Sequence, residues 1–129
     1  MSTELKPSLF VRLGGIDGIA TVVDDFVERV LSDPRLQKNP HVAAAYQRKP
    51  KPALKYQVTE MVAWVTGGPQ IYTGRSMIES HRHLHIGGDE WEAFLDDLRQ
   101  TLDQFKVPLT EQKELFAILG GTRLDIVTA

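Results

Sequence analysis

The chain has 129 residues, the size of one domain, and 42% of them are apolar, enough for a single core. A net charge of -2 supplies no electrostatic footprint for nucleic acid. The absence of cysteine excludes disulfides, thiolate nucleophiles and iron-sulfur clusters, so any metal must take His, carboxylate, Met or Tyr.

We expect a flexible leader over residues 1–8 and a single domain over 9–129. The opening MSTELKPSLF lacks the charged-then-apolar order of a signal peptide, and no window is long and apolar enough for a membrane span; we therefore expect a cytoplasmic protein with no membrane partner. Ile16, Ile19, Val22, Val23, Phe26, Val30 and Leu31 recur at helical spacing. They predict a helix capped by Asp17 and stopped at Asp33-Pro34. Prolines 34, 40, 50 and 52 then predict a long irregular connection holding at most one short helix. Leu54, Val58, Met61, Val62 and Val65 share one face of a second helix, which ends at Gly67-Gly68-Pro69. Ser76 and Glu79 have capping-box spacing, so a short helix starts near Met77 and runs to Gly87-Gly88. Trp91, Phe94, Leu95, Leu98, Leu102 and Phe105 mark a long helix ending before Pro108. Thr110 is placed to cap the last helix, which Gly120-Gly121 weakens in its middle. No segment alternates with period two, so the fold class is all-α with five or six helices.

Three of the four histidines lie in SHRHLHIGG. On a strand His81, His83 and His85 would converge on one zinc ion, but on a helix a step of two turns the side chain by about 200°. The helix signals therefore disfavour a three-ligand cluster. With Met77, Ile78 and Leu84 toward the core, His81 is the histidine that faces inward. One inward His suits an iron already held by four macrocycle nitrogens; a buried His bonded to a backbone carbonyl, or a solvated one, satisfies the same spacing.

LFVRLGGIDGIATVVDDFVERVLSDPRL, then TGGPQIYTGRSMIESHRHLHI, then a long helix before a VP turn, resemble the truncated haemoglobins, most closely their first group. The resemblance spans Leu9 to Val127. It implies a truncated globin fold, a two-over-two helical sandwich enclosing one haem b, with Gly14-Gly15 and Gly67-Gly68 at helix ends. It makes His81, in the pattern His81, Leu84, Ile86, the iron ligand through Nε2, with Nδ1-H donating to a backbone carbonyl. Arg75 and Arg82 become candidates for the haem propionates; a solvated surface arginine is the alternative for each. Phe26, Val27, Leu54, Val58, Met61, Val62, Tyr72, Met77, Leu84, Ile86 and Trp91 become candidates for its apolar envelope, with plain core packing as the alternative for each.

The chain departs from that pattern on the distal side. Many first-group members carry Tyr after the Phe of the first long helix, where this chain has Val27. The inward positions of the next helix, often polar, hold Leu54 and Val58. His41, Tyr46, Tyr56 and Gln57 are the candidate replacement donors, and His41 or Tyr46 is also a candidate sixth ligand; a surface position is the alternative for both. The resemblance implies reversible binding of oxygen or another diatomic ligand, carbon monoxide and nitric oxide included, for transport or storage. The alternatives are a nitric oxide dioxygenase or peroxidase-like enzyme, for which a reductase is a candidate partner, and a haem-free helical protein with a metal or partner site.

Overall fold

The apolar periodicities do become helices, and the residues between them set where each one starts. A computed structural model describes residues 7–74 and 76–128, so six residues of the leader and the candidate propionate partner Arg75 lie outside the described residues. Ser8 opens α1 (Leu9–Arg12), its hydroxyl accepting from the Val11 N–H at 3.3 Å. Gly14 (φ 96°) and Gly15 (φ 67°) turn the chain through a left-handed conformation that side chains resist, and α2 (Gly15–Ser32) follows. Asp17 is therefore not the cap: Gly14 holds that position, and Asp17 sits in the first turn, where a negative charge favours the helix N-terminus.

The largest departure from expectation comes next. The connection expected to hold at most one short helix contains two, α3 (Pro34–Gln37) and α4 (Pro40–Arg48). Asp33 accepts from the Arg35 N–H at 2.9 Å and Asn39 from the His41 N–H at 2.9 Å. Proline at the first helical position needs no donor, so Asp-Pro and Asn-Pro start helices here instead of breaking them.

α5 (Lys51–Val65) ends before Gly67, at φ 96°, as the glycine pair predicts. The Ser76–Glu79 capping box forms and opens α6 (Met77–His81), but α6 ends at His81 and not at Gly87-Gly88. A 3-10 turn (Arg82–Leu84) and a left-handed His85 (φ 53°) lead to α7 (Gly88–Gln104). α8 (Leu109–Gly120) starts behind Pro108, so Thr110 lies inside it and does not cap it; Gly120 closes it, and α9 (Arg123–Ile126) is a separate turn. The described residues thus hold nine α-helices against the expected five or six, the excess being helices of one or two turns. They contain no strand, only an isolated parallel bridge between Ile86 and Val127, with the Thr128 N–H donating to the Ile86 carbonyl at 3.0 Å.

Helix α2 lies between two apolar clusters. On one side Ile19, Val23 and Val27 meet Ala63 and the half-buried Leu54, Val58 and Val62 of α5. On the other, Phe26 and Val30 meet Leu98 and Leu102 of α7 and Leu115 and Leu119 of α8. Lys55 of α5 pairs with Asp24 and Glu28 of α2, each at 2.8 Å, and Thr101 of α7 donates to Asp25 at 2.7 Å. The result is the all-α two-over-two sandwich expected from the resemblance. No helix among the described residues is long and apolar enough to cross a membrane.

Candidate functional site

The capping box starts α6 next to the loop and so determines which turn carries His81. Ser76 Oγ accepts from the Glu79 N–H at 3.1 Å, and Ser80 Oγ donates to the Ser76 carbonyl at 2.8 Å. One turn after Met77, the Nδ1-H of His81 donates to the Met77 carbonyl at 3.0 Å. The same nitrogen lies 2.9 Å from Ser80 Oγ, which accepts because its own proton is already committed. Both contacts place the proton on Nδ1 and leave the lone pair on Nε2. The ring is half-buried. That burial pushes its pKa below the ordinary value, the Met77 carbonyl acts the other way, and His83 adds to the lowering. A neutral imidazole with an oriented Nε2 lone pair is a metal ligand.

His83 and His85 are exposed. Because α6 stops at His81 and His85 turns left-handed, His81 and His85 do not share a helix face. Among the described residues no group of three His, Cys, Asp or Glu could hold a metal ion.

The envelope candidates divide by burial. Phe26, Val27, Leu84 and Trp91 are core residues, and Phe94 packs edge-on to Phe26 (ring centroids 5.0 Å) and stacks on Trp91 (5.9 Å). Met77 and Ile86 are half-buried, as are Leu54, Val58, Met61 and Val62 of α5, whose one fully buried residue is Ala63. Val58, Met61 and Val62 join Phe26 and Phe94 around an apolar cavity of about 50 Å³ between α2, α5, α7 and α8. That volume accommodates a few atoms and not a macrocycle. Tyr72 is half-buried and stacks on the exposed Trp64 (6.0 Å); burial and then Glu60 raise its phenol pKa. Arg82 is exposed.

On the distal side Val27 is 3% exposed and packed toward α5, and it offers no donor. Tyr56 is 66% exposed and donates to Glu60 at 3.3 Å. Tyr46 packs against the core beside α3 and α7, where burial and Asp97 push its phenol up to about 12. His41 is exposed, with its ring centroid 4.6 Å from that of His85. Gln57 is half-buried, and its Oε1 accepts from the ammonium of Lys49.

Sequence reasoning missed two of these residues. Lys49 sits inside a basic stretch that reads as solvated surface, yet at the end of α4 its ammonium reaches Gln57, eight positions on in α5. Asn39 is legible as a helix cap, but its other half is not: Nδ2 donates to the Leu84 carbonyl at 2.9 Å, tying the start of α4 to the turn that follows His81. A third group, Asp33, Arg35, Asp96 and Asp97, joins α3 to α7 through Arg35, at 2.9, 3.0 and 3.4 Å from the three carboxylates.

Helical pairs crossed two over two, with one neutral histidine on a short helix and a half-buried apolar helix packed on α2, define a shortened globin. The model of the bacterial-like globin family matches residues 8–127. The chain belongs to that family and is a truncated haemoglobin. It is 32% identical over 119 residues to the group 1 truncated hemoglobin GlbN of Synechocystis, covering 88% of this chain and 90% of that one. It is 27% identical over 123 residues to a group 1 truncated hemoglobin of Tetrahymena thermophila, covering 93% and 94%. The fold also matches the Fe(III) truncated hemoglobin of Tetrahymena pyriformis (TM-score 0.84, 23% identity, 95% and 100% covered). It matches the cyanomet 2/2 hemoglobin of Synechococcus with covalently attached heme as well (TM-score 0.83, 24% identity, 94% and 98% covered). Membership implies haem b and its iron as cofactor. The residues present fit that group: an imidazole with a free Nε2 lone pair, and an apolar α5 face that the protein itself leaves half-covered.

Proposed function

We propose that His81 would hold the haem iron through Nε2 and that this chain, so loaded, reversibly binds a diatomic ligand, oxygen foremost, at that iron. The observation that carries this reading is the 3.0 Å bond from His81 Nδ1-H to the Met77 carbonyl, which fixes the tautomer and the plane of the ring. Haem supplies the iron to which small diatomic molecules bind. The chain's own residues do the rest. The half-buried side chains of α5, with Met77, Leu84 and Trp91, keep water from the macrocycle, which slows oxidation of ferrous iron.

Gln57 takes over the role for which Val27 has no group. Lys49 occupies its Oε1, so the amide N–H groups are the part of Gln57 left to donate. Tyr56 points to Glu60 and Tyr46 into the core, which leaves Gln57 as the donor of choice. Exposed Arg82, and Arg75 seven positions before it in the sequence, are proposed for the propionates.

Titrating the protein with haem tests this directly. One equivalent is expected to give a sharp Soret band and a ferrous form that takes up and releases oxygen and carbon monoxide. Absence of a Soret band after haem addition overturns the reading. Gln57→Leu and Lys49→Met are each expected to speed oxygen release about tenfold, the effect of losing one hydrogen bond worth about 1.4 kcal/mol. Rates equal to those of the unaltered protein remove Gln57 from the site.

A further inference from the structure

The contact between His41 and His85 is not explained by the haem site. His41 follows Pro40 in the first turn of α4, and His85 comes directly after the 3-10 turn that succeeds His81. The two side chains are 44 positions apart in the chain, from 41 to 85, and meet because Asn39 bonds the carbonyl of Leu84 at 2.9 Å and, more loosely, that of His85 at 3.4 Å. His85 itself has φ 53° and ψ 49°, a left-handed conformation that costs a non-glycine residue energy. That conformation sets its ring beside His41.

We propose that His41 and His85 form a two-imidazole site for a divalent cation of the zinc, copper and nickel class, separate from the haem. The distance between the rings carries the proposal. A metal–nitrogen bond of roughly 2.0–2.1 Å plus the ring radius puts a coordinating imidazole centroid roughly 3.2 Å from the ion. Two such rings at a right or tetrahedral angle then have centroids roughly 4.5–5.2 Å apart. The observed separation is 4.6 Å, with the planes inclined at 53° and not stacked flat. Both rings are exposed, and among the described residues neither makes a side-chain hydrogen bond that would occupy its nitrogens, so an ion reaches them from solvent without breaking a protein contact. Imidazole is the ligand these borderline ions prefer, whereas calcium and magnesium need oxygen. Two protein ligands leave the remaining positions to water. The bound ion links α4 to the segment just past His81, reinforcing the tie that Asn39 already makes.

Calorimetric titration of the haem-loaded protein with zinc chloride at pH 7.5 tests this, with the haem absorption band followed alongside. One zinc per chain is expected, with the haem band unchanged. His41→Gln and His85→Asn, the latter chosen because asparagine tolerates a left-handed backbone, are each expected to weaken binding about a hundredfold through loss of the chelate. His83→Gln is expected to bind as the unaltered protein does. The absence of a zinc isotherm, binding that survives either His41→Gln or His85→Asn, or binding that depends on His83 overturns the proposal. It does not rest on the haem reading, since zinc binding at these two rings is measured whether or not haem is held by His81.

Discussion

The two faces of α2 meet very different neighbours. Toward α7 and α8 the contacts are closed: Leu102 is 0% exposed, Leu115 3% and Leu98 5%. Toward α5 the same helix is equally buried, yet α5 itself leaves Leu54, Val58, Met61 and Val62 half-covered, with Ala63 its one buried residue. The closed side supplies stability, while the half-covered side is the proposed wall of the haem site.

Substitutions that separate the two faces test this contrast. The largest effect is expected from Leu102→Ala, which should lower stability by about 2–5 kcal/mol in urea unfolding, with or without haem, because it enlarges the small apolar cavity that Leu102 lines. Val58→Ala is expected to cost about 1 kcal/mol or less in the haem-free protein and clearly more once haem is bound. Equal costs for the two in haem-free protein would break the comparison.

The carboxylates joining α3 to α7 sharpen it on the closed side. Asp97 is 4% exposed, and its Oδ2 has no partner. Burial and then Asp33 hold its carboxyl up at about 7, whereas Arg35 keeps Asp33 down at about 2. Between the ordinary 3.8 and about 7 the folded chain keeps a proton on Asp97 that the unfolded chain has released, so the contribution of Asp97 to stability falls as pH rises through that window. Asp33 acts oppositely; its contribution is present above 3.8 and is lost as pH falls toward about 2. Asp97→Asn retains a donor toward Asp33 and removes the buried charge. It should raise stability by about 1–2 kcal/mol above pH 7, with the gain shrinking as pH is lowered toward about 4. A gain independent of pH would contradict this account of the pair. Asn39→Ala should cost about 1–2 kcal/mol, the worth of a helix cap and one buried bond, and should loosen the turn after His81, measurable as faster amide exchange at Leu84 and His85.

The long elements and His81 were legible because their signals are local. The spacing of Ile19, Val23, Phe26 and Val30 predicts α2, and the Ser76–Glu79 pair predicts where α6 begins and therefore which face His81 takes. The prolines allow at most one short helix in the connection, and α3 and α4 are two, because at Pro34 and Pro40 the preceding Asp33 and Asn39 make proline a first helical residue instead of a breaker. The contacts between α4 and the turn after His81 are long-range: Asn39 meets Leu84 and His41 meets His85 only once α4 has folded against that turn. No spacing in the sequence encodes those pairs.

The central claim is that His81, and no other histidine, holds the iron. His81→Gly, expressed and loaded with haem, tests it most directly by absorption spectroscopy of the ferrous protein with and without added imidazole. The predicted result is weak haem retention and a loss of the five-coordinate histidine spectrum, both restored by imidazole entering the space the side chain left. An unaltered spectrum and unaltered haem affinity in His81→Gly would contradict the account.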